Sequence, residues 1–260
     1  MRLPLFQIDA FTSRLFGGNP AAVVLLDDWL PDAVLGAIAA ENNLSETAFV
    51  IAREDVAPLR WFTPAIEVDL CGHATLATAD VLLRHRFPGA QRVRFATRSG
   101  ELAVERAGEA LRMDFPARPG TAVAVTPAMS DALGITPIEA WLARDLMLVF
   151  ADEDEIRSLQ PDMTRVAALD AFAVIATAPG REVDFVSRFF APRAGIAEDP
   201  VTGSAHCTLV PYWAQRLGRS TLQARQISAR GGELSCELRG ERVLMAGHCV
   251  EYLRGEIELP

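Results

Sequence analysis

The segment Arg60-Trp61-Phe62-Thr63-Pro64 returns 128 residues later as Arg188-Phe189-Phe190-Ala191-Pro192. The stretch that follows each copy is also repeated, because Glu67-Val68-Asp69-Leu70-Cys71-Gly72-His73 has a counterpart in Glu198-Asp199-Pro200-Val201-Thr202-Gly203-Ser204. Each copy therefore leads from a strand-like pattern to a glycine that precedes an apolar, helix-like segment.

Two apolar runs extend the repeat towards the start of each half. Residues 48–52 resemble residues 172–176, and residues 22–26 resemble residues 146–150. Four matches in the same order, at offsets of 124 to 131 residues, predict two homologous domains. The offset is too long for a solenoid, whose repeats span about 20–50 residues.

Each half is predicted to combine many short strands with one buried helix. Apolar helices are expected at residues 73–85 and 204–217, the second ending at Gly218, and a shorter helix begins at Pro31. This composition indicates an α+β fold.

The boundary between the two domains is expected in the proline-rich segment at residues 116–120, which gives domains at residues 1–117 and 118–260. Apolar runs bounded by Gly, Pro and Asp predict the strands of the first half, at residues 5–10, 22–26, 48–52, 59–62, 92–96, 101–105 and 111–115.

The composition excludes several classes of function. All 25 basic residues are arginine, so chemistry that needs an ε-amine is excluded: Schiff bases, pyridoxal phosphate and a Walker-type phosphate loop. A net charge of −9 argues against a nucleic-acid or anionic-membrane surface. The four cysteines form no CxxC pair, and no apolar run approaches the roughly 20 residues of a membrane span. We expect a soluble cytoplasmic protein without a signal peptide.

The two apolar helices begin at corresponding glycines, Gly72 and Gly203. A buried helix N-terminus has unpaired N–H groups and a partial positive charge, and it can therefore hold a carboxylate or phosphate. The alternative is that both glycines only form tight turns. Their duplication favours a paired ligand site.

Three side chains are candidates for acid–base chemistry. His73 lies in the first turn of its helix, where the helix dipole favours a neutral imidazole. Glu46 enters an apolar strand, where burial would raise its pKa towards a useful range; the alternative is a surface loop capped by Ser45 or Asn43. Asp199 precedes Pro200, and its simplest interpretation is a turn or N-cap residue.

A thiol mechanism can be tested within the repeat. A two-base racemase could use paired thiols, but the position that corresponds to Cys71 is Thr202. A Cys71/His73 nucleophile pair is also disfavoured, because side chains two residues apart do not face each other at a helix start. The histidines show no metal-binding spacing, and we predict no metal site.

Taken together, these motifs resemble the PhzF-like family of phenazine-biosynthesis-type isomerases, within the diaminopimelate epimerase-like fold. The resemblance spans the whole chain. It rests on the segments at residues 6–12, 17–23, 43–49, 60–64, 70–75, 198–205 and 230–232.

The resemblance implies two similar domains related by pseudo-twofold symmetry, each a β-barrel-like sheet around a central helix, with the active site between them. It implies a homodimer and a cofactor-free proton shift on a small carboxylated substrate. Glu46 would be the general acid and base, while His73 and Asp199 would orient the substrate and fix protonation states. The substrate would be bound at Gly72, Gly203, Ser204, Ser45 and Asn19.

One departure limits the substrate assignment. Family members that carry Leu-Cys-Gly-His here, as this chain does at residues 70–73, often come from organisms without a phenazine pathway. Cys71 also occupies the place of the catalytic thiol in related epimerases. Two alternatives therefore remain open: an amino-acid or hydroxy-acid epimerase that uses Cys71 with a non-thiol partner such as Asp199, and a binding protein without catalysis.

Overall fold

The computed structural model describes residues 1–259, and the chain forms two compact units. The first comprises Met1–Asp114 together with the C-terminal segment from Ala246, and the second comprises Phe115–Met245. No helix within residues 1–259 combines the length and apolar character needed to cross a bilayer.

The first unit is a mixed sheet with two helices. The strands are β1 (Arg2–Ala10), β2 (Asn19–Leu26), β3 (Glu46–Ile51), β4 (Ala57–Phe62), β5 (Glu67–Val68), β6 (Arg92–Thr97), β7 (Gly100–Ala107), β8 (Ala110–Pro116) and β18 (Cys249–Glu258). The helices are α1 (Asp32–Asn42) and α2 (Gly72–Val81), and α2 continues into a π-helical turn, Leu82–Arg86. The pairs β18–β1, β1–β2, β3–β4, β4–β5, β6–β7 and β7–β8 are antiparallel, while β2–β3 and β4–β6 are parallel.

The second unit repeats this pairing pattern. Its strands are β9 (Thr121–Val123), β10 (Glu139–Leu142), β11 (Leu146–Val149), β12 (Val174–Pro179), β13 (Phe185–Ala191), β14 (Ile196–Asp199), β15 (Thr221–Gln226), β16 (Gly232–Arg239) and β17 (Arg242–Gly247). The helices are α3 (Pro127–Leu133), α4 (Glu153–Ser158), α5 (Met163–Ala168) and α6 (Gly203–Leu217). The pairs β9–β10, β10–β11, β12–β13, β13–β14 and β15–β16 are antiparallel, and β11–β12 and β13–β15 are parallel.

The C-terminal strand differs from the sequence-based domain boundaries. These placed all of residues 118–260 in the second domain, whereas β18 pairs along the whole of β1, from Arg2 with Glu258 to Ala10 with Cys249, and belongs to the first unit. The physical reason is that β1 has one edge open beyond β2, and the C-terminal strand covers it. In the second unit the equivalent strand β10 is covered by β9 instead.

The duplication extends to individual contacts. Arg60 binds both carboxylate oxygens of Glu67 at 2.7 Å and lies 5.1 Å from the ring of Phe62. Arg188 binds both oxygens of Glu198 at 2.7 and 2.9 Å and lies 5.0 Å from the ring of Phe190. The repeated Arg-aromatic-Phe segment thus builds the same ion pair in both units.

The strand register corrects one alignment made from the sequence. Thr47 pairs with Phe62, and Val174 pairs with Phe190, so these strands correspond at an offset of 127 residues rather than 124. Glu46 therefore corresponds to Ala173 and has no acidic equivalent in the second unit.

Both central helices are largely buried, as predicted. Every residue of α2 from His73 to Val81 is buried, and α2 packs against β1, β2, β3 and β7. The predicted α6 is confirmed, with Gly218 in the left-handed conformation at its C-terminus. The helix predicted at residues 73–85 instead leaves α-helical geometry after Val81, and His85 lies in the π-helical turn.

We expect the repeated ion pair to matter for stability. Arg188 also donates to the backbone oxygens of Ile156 and Leu159, and its side chain is only 14% exposed. Arg188→Met should therefore lower the free energy of unfolding by about 2 kcal/mol, because it leaves a half-buried carboxylate and two carbonyls without this donor. Arg239→Met is the matched control, since Arg239 pairs with Glu237 while 63% exposed and should change stability by less than about 0.5 kcal/mol. Urea denaturation of both variants measures the difference, and equal losses would contradict the prediction.

Candidate active site

The first unit brings Glu46 and His73 into contact. Glu46 is the first residue of β3 and His73 the second residue of α2, and Glu46 Oε2 lies 3.1 Å from His73 Nε2. The two side chains are 12% and 5% exposed, so the pair is shielded from water. Among residues 1–259, Oε2 has no hydrogen-bond partner of good geometry, which makes this contact its main polar interaction. The sequence predicted both residues as candidates, and the fold joins them.

Asn19, the first residue of β2, contacts the other ring nitrogen. Its Nδ2 lies 3.1 Å from His73 Nδ1. An amide nitrogen only donates, so in this orientation Nδ1 accepts and the ring hydrogen lies on Nε2, towards Glu46. A second ring proton on Nδ1 requires a half-turn of the amide, after which its oxygen accepts; this rotation barely changes the shape of the side chain. Asn19 can therefore accompany either protonation state of His73.

The pKa of His73 differs from the sequence-based expectation of a neutral ring. Burial lowers the pKa of His73, whereas Cys71 and Glu46 raise it, and the net shift is well above the ordinary value of 6.5. Burial raises the pKa of the Cys71 thiol to about 11, so Cys71 carries no charge at neutral pH. The anion that stabilises the imidazolium there is the Glu46 carboxylate. This contact outweighs the helix N-terminus, which alone would favour a neutral ring.

Cys71 lies closer to His73 than the sequence suggested. Its Sγ is 3.5 Å from Nδ1, although the side chains are two residues apart. The i, i+2 argument fails here because Cys71 is the N-cap of α2 and has extended backbone angles, φ −141° and ψ 111°. Its side chain therefore does not follow helical geometry.

Glu46, Cys71 and His73 are also the cluster of residues whose chemistry suits a metal ion, with one possible ligand atom of each within 4.8 Å of the others. Glu46 lies at Nε2, whereas Cys71 Sγ is 3.5 Å from Nδ1 and 4.0 Å from Nε2. An ion bound along the Nε2 lone pair cannot also lie about 2.3 Å from this sulfur unless the thiol side chain rotates. The residue types fit a metal, but their directions in this conformation do not.

The raised pKa of His73 predicts a pH-dependent stability. A group whose pKa is higher in the folded state stabilises the protein fully below its unfolded value, near 6.5, and loses this contribution as the pH rises through the folded value. The difference in unfolding free energy between the parent and His73→Gln should therefore be largest below about pH 6.5 and shrink as the pH rises above it.

His206→Gln is the control for this measurement. Burial lowers the pKa of His206 to about 4, so its contribution changes only below about pH 6.5 and stays constant over the alkaline range. A difference for His73→Gln that is flat across the same range would contradict the prediction.

The N-terminus of α2 lacks a side-chain cap. Cys71 makes no capping hydrogen bond, and the first helical residues are Gly72 and His73. No side chain of the N-cap residue thus occupies the N–H groups of this turn, and the anion-binding role expected of Gly72 stays a prediction.

In the second unit, Asp199 ends β14 and is buried, with 8% exposure. Its Oδ2 accepts a short hydrogen bond from the hydroxyl of Thr202, the N-cap residue of α6. Thr202 makes no capping hydrogen bond to the helix, so the first turn, with Gly203 and the half-buried Ser204, is open in the same way as that of α2. Asp199 is therefore a partner of the N-cap residue rather than the N-cap predicted as its simplest interpretation.

The predicted binding residue Ser45 lies in a bend between α1 and β3 and is half-buried. It adjoins Glu46 in the chain, and within residues 1–259 no side-chain hydrogen bond joins it to Glu46 or His73. Its role stays a prediction.

Sequence reasoning missed one residue near Asp199. Gln226 is fully buried, and its amide bonds to both Asp199 and Thr202. A signal was present, because Gln226 continues the alternation of buried Leu222 and Ala224 along β15. A glutamine in the buried phase of a strand indicates a specific partner.

Known proteins resemble this chain over its whole length. A family model for phenazine biosynthesis-like proteins, PhzC-PhzF, matches residues 8–255. The sequence is 52% identical to an uncharacterized isomerase of Pseudomonas aeruginosa, with 100% of both chains covered. The crystal structure of a PhzF-family phenazine biosynthesis protein from Enterococcus faecalis matches with a TM-score of 0.98 and 47% identity, again over 100% of both chains.

A more distant likeness defines the class of fold. The structure of a predicted epimerase from Pseudomonas aeruginosa matches with a TM-score of 0.77 at 20% identity, over 99% of this chain and 100% of that one. The predicted α+β fold of the diaminopimelate epimerase-like class is confirmed. The chain belongs to the PhzC-PhzF family of phenazine biosynthesis-like proteins, as its motifs indicated.

Proposed function

We propose that the protein is an isomerase that moves a proton between two carbon atoms of a small carboxylated substrate, with Glu46 as the general acid and base. The observation that carries this proposal is the buried contact of 3.1 Å between Glu46 Oε2 and His73 Nε2. The isomerase name of the Pseudomonas relative, at 52% identity, supports the reaction class.

The Glu46–His73 pair can hold one shared proton in two positions, which suits such a reaction. A carboxylate with an imidazolium and a carboxylic acid with an imidazole differ only in the position of one proton between Oε2 and Nε2. Glu46 as carboxylate takes a proton from one substrate carbon, and the electron pair of that C–H bond shifts the double bond. As a carboxylic acid Glu46 exchanges this proton with solvent, and it then delivers a proton to the second carbon, so no proton or electron is gained or lost overall and no cofactor is needed. The His73 imidazolium stabilises the carboxylate form by its positive charge, 3.1 Å away at Nε2.

Binding of the substrate carboxylate is assigned to the uncapped first turns of α2 and α6, at Gly72, Gly203 and Ser204. Such turns bind anions because their N–H groups are unpaired. Asp199 is assigned to orient a donor group of the substrate, and Asn19 supports His73 at Nδ1.

A second candidate function is epimerisation by Cys71. It is favoured by the contact of 3.5 Å between Cys71 Sγ and His73 Nδ1. The high pKa of Cys71 makes the thiol an acid rather than a base at neutral pH, so a base elsewhere would have to remove the first proton.

Incubation of the protein with a panel of unsaturated, amino and hydroxy carboxylic acids in D2O separates the candidates. Deuterium incorporation that is lost in Glu46→Gln and kept in Cys71→Ser supports the isomerase. The opposite pattern supports the epimerase. Binding of an acid without any exchange indicates the non-catalytic binding protein and rejects both.

A further inference from the structure

Gln226 is a fully buried amide at the end of β15. An amide in such a place is destabilising unless its donor and acceptor groups are all bonded. The partners of Gln226 therefore indicate what this side chain holds in place.

All of these partners belong to the segment that carries Asp199 into α6. Gln226 Oε1 accepts from the backbone N–H of Thr202 at 2.9 Å, while Nε2 donates to the backbone oxygen of Asp199 at 2.7 Å and to Thr202 Oγ1 at 3.2 Å. The orientation of the amide is fixed, because a backbone N–H only donates and a carbonyl only accepts.

This arrangement also fixes the direction of a neighbouring hydrogen. Thr202 Oγ1 accepts from Gln226, and its single hydrogen is directed to Asp199 Oδ2. A hydrogen bond donated to a carboxyl oxygen stabilises the ionised form more than the protonated form. The chain of bonds from Gln226 through Thr202 thus orients Asp199 and favours its acceptor state.

Comparison with the first unit shows which of these hydrogen bonds belong to the fold that the two units share and which are specific to the second unit. The strand register makes Thr97 the equivalent of Gln226, and among residues 1–259 the Thr97 hydroxyl bonds within its own turn, to the backbone of Gly100 and Ser99. In contrast, the next serine keeps its contact in both units: Ser99 donates to the backbone oxygen of Asp69, and Ser228 to that of Pro200, each at 2.8 Å. The serine is the shared structural element, and the glutamine is specific to the unit that contains Asp199.

We propose that Gln226 is a positioning residue, which acts through Thr202 to hold Asp199 in one orientation and as a hydrogen-bond acceptor during catalysis. The proposal rests on the role of Asp199 in the proposed function. Gln226 itself does not touch the substrate.

The test compares Gln226→Leu with Gln223→Leu, which replaces an exposed glutamine on the same strand. Gln226→Leu should lower the rate of deuterium exchange by about ten- to a hundredfold, the scale expected for a displaced catalytic group. It should also move the acidic limb of the rate–pH profile to higher pH, because Asp199 loses a fixed donor. Gln223→Leu should match the parent in both. Thr202→Ser, which keeps the hydroxyl, should retain the parent profile, and Thr202→Val should shift it as Gln226→Leu does.

A second measurement does not depend on activity. The carboxyl ¹³C signal of Asp199, identified by its absence in Asp199→Asn, should titrate at higher pH in folded Gln226→Leu than in the parent. Identical titration in the two proteins overturns the positioning role. Parent-level exchange in Asp199→Asn would instead overturn the catalytic role of Asp199, so the two failures are distinguishable.

Discussion

The Glu46→Gln variant is expected to lose catalysed hydrogen exchange by about 10²–10⁴-fold, the range for removal of a general acid–base group. Glutamine keeps the shape of the side chain and can occupy the same place beside His73 Nε2, so the packing at the start of β3 should survive. What it cannot do is take a proton from carbon. The loss should therefore appear in kcat, with substrate affinity close to that of the parent.

The chain offers a matched control for this variant. Glu251 and His85 form another partly buried pair in the first unit, with Glu251 Oε2 2.6 Å from His85 Nε2 and side chains 25% and 20% exposed. Glu251→Gln makes the same chemical change to a similar contact, and it should leave exchange at the parent level. Parent-level exchange in Glu46→Gln would reject Glu46 as the acid–base group, and an equal loss in both variants would point to a general effect on the fold.

The carboxyl, thiol and imidazole groups that these experiments test all lie in one of two similar halves. Glu46, Cys71 and His73 of the first unit correspond to Ala173, Thr202 and Ser204 of the second, by the strand register and the repeated helix start. The second unit keeps the uncapped helix N-terminus but has no acid, thiol or imidazole at these positions. Duplication has preserved the scaffold and the uncapped helix start, while the residues proposed for proton transfer belong to one copy.

The sequence was sufficient to predict the repeated scaffold because its signals are local or periodic. The apolar helix that starts at Gly203 and ends at Gly218 could be recognised from composition and its terminal glycine. The C-terminal strand could not be assigned correctly, since its pairing with β1 joins residues about 250 positions apart. No local pattern records such a contact.

The same holds for the site residues: the sequence predicted individual residues from local signals but not the contacts between distant segments. Glu46 and His73 could each be named from the sequence, but their contact depends on strand β3 and helix α2 packing together. The neutral state expected for His73 came from its own helix alone, and the carboxylate that raises its pKa lies in another element. Gln226 was missed for a related reason: its partners lie 24 and 27 residues away.

The Gly18→Ala variant should show how strongly the backbone around Asn19 is constrained. Gly18 has a φ of +64°, and a Cβ built there would lie 2.2 Å from the backbone oxygen of Ala10. Rotating a side chain can relieve neither the strain of the positive φ nor the clash with the backbone oxygen of Ala10. We expect the free energy of unfolding to fall by about 3 kcal/mol or more, the sum of left-handed strain and overpacking. Exchange activity of the folded fraction should fall too, because the next residue, Asn19, contacts His73.

Gly134→Ala is the control that separates left-handed strain from overpacking. Gly134 follows α3 with a φ of +81°, and a Cβ built there would meet nothing within 4 Å. It should therefore show only the left-handed strain, about 1–2 kcal/mol, and retain full exchange activity. The difference between the two variants in urea denaturation measures the contact between Gly18 and the Ala10 carbonyl. If Gly18→Ala is no more destabilising than Gly134→Ala, then that turn can relax, and the position of Asn19 beside His73 must be maintained by contacts other than the close approach of its backbone to β1.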